Sequence, residues 1–125
     1  MGTLSNAILI YVTQGEVDAV LIYPYIYSLL GEWIGWVTSE RDVYSVHGHY
    51  VGWLSDDPRI LRRKSADIIK NRRKPPPEPE EIMIPATFPL APMLPELPIG
   101  WFDVLEETPE LLPAVDYGDL RDDMD

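Results

Sequence analysis

The chain holds two histidines, and they stand together as His47-Gly48-His49. A His-x-His pair can begin a metal site, because neutral imidazole is a good zinc ligand, but such a site needs a third and usually a fourth ligand. No further ligand is evident nearby in the sequence. Asp56 and Asp57 are close by, yet adjacent carboxylates ahead of Pro58 read as turn formers. Ser45 and His47 do not suggest a triad, since neither a strained nucleophile turn nor an oxyanion donor accompanies them. The chain has no Gly-Lys-Ser/Thr phosphate cradle and no dinucleotide fingerprint. With no cysteine it has no thiol nucleophile, disulfide or thiolate metal site. Carboxylates are plentiful, but no spacing pairs two of them for acid–base work. These residues assign no catalytic, cofactor-binding or metal-binding position, and the chain reads as a non-enzyme.

The elements around the histidines are more informative. Shifting the chain by 17 residues lays Tyr27-Ser28-Leu29-Leu30-Gly31-Glu32-Trp33-Ile34-Gly35-Trp36-Val37 over Tyr44-Ser45-Val46-His47-Gly48-His49-Tyr50-Val51-Gly52-Trp53-Leu54. Two weaker copies flank this pair. Before it, Tyr11, Gly15, Ala19, Val20 and Leu21 match with one residue fewer; after it come Ile60-Leu61, Ser65 and Ile68-Ile69. Each unit is two short runs rich in β-branched and aromatic residues around Ser-x-x-Gly. That composition suits a three-residue hairpin loop closed by a glycine in the left-handed region. Gly31 and Gly48 are therefore expected as turn glycines. Tyr27 should face Trp33 and Ile26 face Ile34, with Tyr44 opposite Tyr50 and Val43 opposite Val51.

Side chains alternate along a strand, so this register sorts the repeat into two faces. Ile26, Ile34, Trp36, Val43, Val51, Trp53, Ile60 and Ile68 form the expected core. Tyr27, Trp33, Val37, Tyr44, Tyr50, Leu54 and Ile69 form the opposite face, with Gly35 and Gly52 as bare positions open to another chain. That second face is too apolar to stand in water, at about 25 cal/mol per Å² of apolar area. Tyr27, Trp33, Tyr44 and Tyr50, with Trp101 and Phe102 farther on, are accordingly the candidate interaction residues.

Tyrosine, a Ser-x-x-Gly turn, an aliphatic and then Gly-Trp-aliphatic, repeated over about sixty residues, resembles the four-fold β-flower domain of uncharacterised bacterial proteins. The resemblance implies an all-β fold of four short hairpins around a pseudo-four-fold axis, in a family without an assigned activity. A PRC-barrel-like β domain has similar Gly-x-x-Ile-Gly hairpins and is the alternative fold.

Charge and proline divide the chain. Formal charge is -6 over residues 1–58, +7 over residues 59–74 and -12 from residue 75 onward, and eleven of the thirteen prolines follow Lys74. The expected organisation is a repeat domain over residues 7–74 and a proline-rich, acidic arm over residues 75–125. Between them Arg59, Arg62, Arg63, Lys64, Lys70, Arg72, Arg73 and Lys74 form a basic collar, expected as the last hairpin or as a short helix over residues 65–71. Such a collar could neutralise phosphates, but the -18 on the remainder opposes a polyanion. Pro75-Pro76-Pro77-Glu78-Pro79 should be extended as polyproline II. Beyond it, apolar residues from Ile82 to Leu105 are denser than a disordered tail carries. The arm is expected to lie across the aromatic face, on its own chain or a neighbour. No apolar run is long enough for a membrane helix, no basic residue precedes Arg41 to begin a secretory leader, and Asn6 departs from the myristoylation pattern. The reading is a cytoplasmic scaffold or interaction protein acting through self-assembly, such as a homo-oligomer, or through another protein. A nucleic-acid factor using the collar is the first alternative, and a small-ligand site at the hub of the repeats is the second.

Overall fold

The computed structural model describes residues 6–64 and 70–114. Eight strands form one antiparallel sheet in chain order: β1 (Ile8–Val12), β2 (Glu16–Ile22), β3 (Tyr25–Ser28), β4 (Trp33–Val37), β5 (Asp42–Ser45), β6 (Tyr50–Leu54), β7 (Ile60–Arg63) and β8 (Trp101–Asp103). One helical turn, α1 (Val104–Glu107), and a 3-10 turn, Pro109–Leu111, follow. The sheet curls into a nearly closed barrel of four hairpins, with the Tyr11 amide of β1 donating to the Pro58 carbonyl beside β7.

The hairpin turns follow from Ser-x-x-Gly. The Gly31 amide donates to Ser28 O at 2.9 Å and the Gly48 amide to Ser45 O at the same distance. Both glycines have φ in the left-handed region, +82° and +88°, where a Cβ is strained. The serine fixes the rest of the turn. Ser45 Oγ accepts the amides of His47 and His49, and Ser28 Oγ those of Leu30 and Glu32.

The pairing differs from expectation by one residue. Tyr27 faces Trp33 and Tyr44 faces Tyr50, but Ile26 faces Gly35 and Val43 faces Gly52, so Ile34 and Val51 are bulged. The first hairpin has the same irregularity between Ile10 and Tyr11. A bulge adds one residue to one strand and so reverses the parity of everything beyond it. Val37 and Leu54, expected outside, enter the inner core. Trp36, expected inside, joins Tyr27, Trp33, Tyr44 and Val46 in an outer cluster, while Trp53 is half-buried and outside the inner core. Gly35 and Gly52 admit neighbouring strands rather than a partner chain. A Cβ at Gly35 would meet Tyr44 O at 2.7 Å and Leu112 Cδ2 at 2.8 Å, and one at Gly52 would strike Leu61 O.

Ile10, Ile26, Val43 and Ile60 each give one fully buried side chain to the inner core, at spacings of 16, 17 and 17 residues. The fourth hairpin, however, is not completed by the residues that follow β7. Its return strand is β8, with Leu61 opposite Asp103, Arg62 opposite Phe102 and Arg63 opposite Trp101. The expected domain boundary at Lys74 therefore fails for the sheet, because the fully buried Val104 takes the core place that Ile34 and Val51 hold in their hairpins. The expected continuation through Ser65, Ile68 and Ile69, and the alternative helix there, lie outside the described residues.

Candidate interaction surface

The outer cluster carries aromatic rings side by side. Trp36 and Tyr44 stack at 5.0 Å between centroids, Tyr44 and Tyr50 meet edge-on at 5.8 Å, and so do Tyr25 and Trp33 at 5.9 Å. The start of the arm covers them. Arg73 donates its amide to Gly48 O at 3.0 Å and sets its guanidinium 5.6 Å from the Tyr44 ring and 6.0 Å from Trp36. The Tyr25 hydroxyl donates to Pro77 O at 2.7 Å, and the Ile82 amide donates to Gly31 O at 3.1 Å while the Ile82 side chain packs into the cluster. Two turn tips thus hold the arm in the same way, nine residues apart. A Cβ on Gly31 would strike Ile82 O and one on Gly48 would strike Arg73 O, so both glycines serve the docking as well as the turn. Each backbone bond contributes about 1 kcal/mol and a cation over a ring about 0.5–2 kcal/mol, so stacking counts for as much as hydrogen bonding here.

Tyr27, Trp33 and Tyr44 are buried in this cluster, which the arm covers. Tyr50 is half-buried under Lys70 and Arg62, and burial, then the Asp42 carboxylate, raises its phenol above the usual tyrosine value. Trp101 and Phe102 lie elsewhere. Phe102 packs against the inner core, whereas Trp101 meets Trp53 at 6.1 Å on the sheet's last strands.

The basic collar is dispersed, and most of its side chains engage the chain's own atoms. Arg59, 2 % exposed, pairs with Asp57 and donates to Thr13 Oγ1 and Pro95 O. Burial alone would raise the Asp57 carboxyl, but the hydrogen bonds from Arg59 and Ser55 outweigh it and hold it below the usual value. Arg62 donates to Tyr50 O and Val51 O, Arg63 lies over Trp101, Lys70 pairs with Asp42 at 2.8 Å, and Arg72 donates to His47 O. Lys64 donates its amide to Gly100 O, and Lys64 and Lys74 are exposed. His47 and His49 are exposed at the third turn tip, and among the described residues no three potential metal ligands cluster.

A second polar centre closes the barrel, and its residues were not singled out from the sequence. Asp103, with no exposed surface, accepts the Thr13 amide and hydroxyl through Oδ2, both at 2.8 Å, and caps α1 by accepting the Glu106 amide. Glu106 in turn accepts the Gln14 amide at 3.1 Å. Nearby, Asp18 is pushed above the usual carboxylate value by burial, then by the charges of Asp103 and Glu16. At the barrel end formed by the inter-hairpin loops, a hollow of about 490 Å³ opens over Leu21, Val37 and Leu54. Arg41 on its rim is tied to Leu54 O and Ser55 O, so few polar groups converge there.

From Phe88 to Ile99 every third residue, Phe88, Ala91, Leu94 and Leu97, is half-buried, and the two between are exposed. Prolines fall at 89, 92, 95 and 98. Three residues per turn is the period of polyproline II, so the segment is a ridge with one face on the body and two in solvent. Leu90 is 98 % exposed, Met93 is 97 % exposed, and Ile99 is fully exposed.

A curled sheet of four hairpins with a strap across its aromatic face and an outward apolar ridge defines an all-β hairpin-repeat domain. The model of the 4-fold beta flower protein family matches residues 8–104, and the chain belongs to that family. Comparisons with curated proteins and with solved structures find no match. The matched span ends at Val104, so it includes β8 and with it the whole excursion of the arm. Among the described residues no helix is long and apolar enough to cross a membrane.

Proposed function

We propose that this chain is a non-enzymatic protein-interaction module in which the β-flower body displays the ridge Phe88–Ile99 to a protein partner. The period-three exposure of that ridge is the observation that carries the reading. Its inward residues fix the backbone, and Arg59 holds Pro95 O at 3.0 Å. Leu90 and Met93 are left almost wholly in water. A pre-formed polyproline helix loses little entropy on docking, which is why aromatic grooves bind such segments. The collar offers less support for nucleic acid, because Arg59, Arg62, Arg63, Lys70, Arg72 and Arg73 are engaged with groups of their own chain.

The test is a photo-crosslinking residue in place of Met93 in the full chain, activated in cells. The expected result is a protein adduct, this chain itself included, that is lost when Leu90→Asp is added. If position 93 crosslinks to no protein, or to nucleic acid alone, the reading is wrong.

A further inference from the structure

We propose that the occupant of the ridge is a second copy of this chain, docked on the Trp53–Trp101 pair. The inference rests on the reading of Phe88–Ile99 as a docking ridge and adds the identity of the receiving surface. Polyproline ridges dock on surfaces lined by aromatic rings. The arm already covers the outer aromatic cluster. Among the described residues, the aromatic pair outside that cluster is Trp53 and Trp101, half-buried, with ring centroids 6.1 Å apart and planes tilted by 49°. The exposed Arg63 sits beside it, its guanidinium 5.2 Å from the Trp101 ring.

The ridge complements this patch in both polarity and spacing. Its outward row runs Leu90, Met93, Glu96 and Ile99, so one acid stands among three large apolar side chains. Met93 and Glu96 are one polyproline turn apart, about 9 Å. The exposed Arg63 guanidinium, 5.2 Å from the Trp101 ring, lies within one such turn of the pair. Met93 of one copy then packs across the Trp53–Trp101 pair of the other, where thioether and indole attract, and Glu96 meets Arg63. The same Glu96–Arg63 charge pair sets the register, since a slip by one turn would place an apolar residue on the guanidinium. The contact cannot be made within one chain. Ile99 precedes Trp101 by two residues, so the ridge runs away from the pair that it would have to fold back upon.

Sedimentation of the full chain over a range of concentrations tests this through a charge swap. The wild type is expected to associate. Glu96→Arg and Arg63→Glu should each weaken association about tenfold or more, and mixing these two variants should restore it, because the ridge of the first and the patch of the second then meet with their charges exchanged. Met93→Asp alone should abolish self-association, and as a change at an exposed side chain it should leave the thermal midpoint in place at a concentration where the wild type is monomeric. A wild type that stays monomeric at its solubility limit overturns the proposal, as does a mixture no stronger than the single variants. The two failures are separable. A monomeric wild type whose position 93 crosslinks to a different protein removes the self-docking and leaves the interaction reading intact, whereas a monomer with no protein adduct removes both.

Discussion

The two central hairpins and the last one reach the same geometry by opposite routes. In β3–β4 and β5–β6, the last residue of the first strand and the four that follow it carry the whole instruction, a serine that collects turn amides and a glycine at positive φ. In β7–β8, 37 residues separate the strands, and no local turn could hold them together. The closing hairpin depends instead on contacts with the distant β1–β2 turn, above all Asp103 with Thr13 and Glu106 with the Gln14 amide. Local turns thus suffice for the middle of this sheet, whereas its closure rests on a buried carboxylate.

That contrast breaks most visibly at Asp103. Asp103→Ala leaves the half-buried Thr13 amide and hydroxyl without their acceptor and uncaps α1, a loss of about 3 kcal/mol from two hydrogen bonds together with a cap. Urea unfolding followed by tryptophan fluorescence should show it. Asp103→Asn, which keeps an acceptor oxygen, should cost less. If Asp103→Ala costs no more than an exposed substitution, closure is held by something other than this carboxylate.

The turn glycines give the next largest effect and sharpen the comparison within the hairpins themselves. Gly15, at φ +102°, has nothing within 4 Å of a would-be Cβ, whereas Gly31 and Gly48 face arm carbonyls. Gly15→Ala should therefore cost only the left-handed penalty, about 1 kcal/mol. Gly48→Ala should cost about 2 kcal/mol or more, because the Arg73 carbonyl must also withdraw. Amide exchange over residues 70–74 separates the two, speeding up in Gly48→Ala and staying unchanged in Gly15→Ala. Equal exchange in both would show that the arm does not rely on the third turn tip.

How far these features could be read in advance depended on whether the code was local. Ser28-x-x-Gly31 and Ser45-x-x-Gly48 identify the two central hairpins because every atom the turn uses lies within five residues. The bulges at Ile34 and Val51 could not be read, since one extra residue leaves composition unchanged and alters only parity, and Trp36 and Val37 were consequently placed on each other's faces. The return strand β8 was missed because the repeat was followed forward from β7. Ile99-Gly100-Trp101-Phe102 echoes Ile34-Gly35-Trp36-Val37 in residue type, but the pairing sets Val104 rather than Ile99 in the place of Ile34, so that echo marks the strand and not its register. The ridge was likewise visible in the prolines at 89, 92, 95 and 98, but which of its faces meets the body depends on the fold. The aromatic face was recognised from its residues as needing cover. Arg73 and Ile82 gave no hint in sequence of meeting the third and second turn tips.

Acidity separates two carboxylates by sign. Asp57 is held low by Arg59 and Ser55 against its burial, so its contribution is fully present above the unfolded value of about 4 and is lost as pH falls through its lower folded value. Asp18 is raised by burial and by Asp103 and Glu16, so its ionisation opposes folding at neutral pH, and the opposition fades as pH falls through its raised folded value and is gone below the unfolded value of about 4. Asp18→Asn should thus raise the thermal midpoint at pH 7 and confer nothing near pH 3, while Asp57→Asn should lower it at pH 7. Both variants shifting in the same direction at pH 7 would contradict the assignment.

The smallest expected effect on stability belongs to the outward ridge, and its smallness is informative. A buried leucine truncated to serine costs several kcal/mol, but Leu90 is almost fully exposed and should tolerate Leu90→Ser within about 0.5 kcal/mol. Leu97→Ser, on the inward row of the same ridge, should cost more and loosen Pro95 from Arg59. Unfolding curves of the two variants, recorded at a concentration where the chain is monomeric, make the comparison. A clear destabilisation from Leu90→Ser would mean that the outward row is already covered within one chain and is not free to meet another.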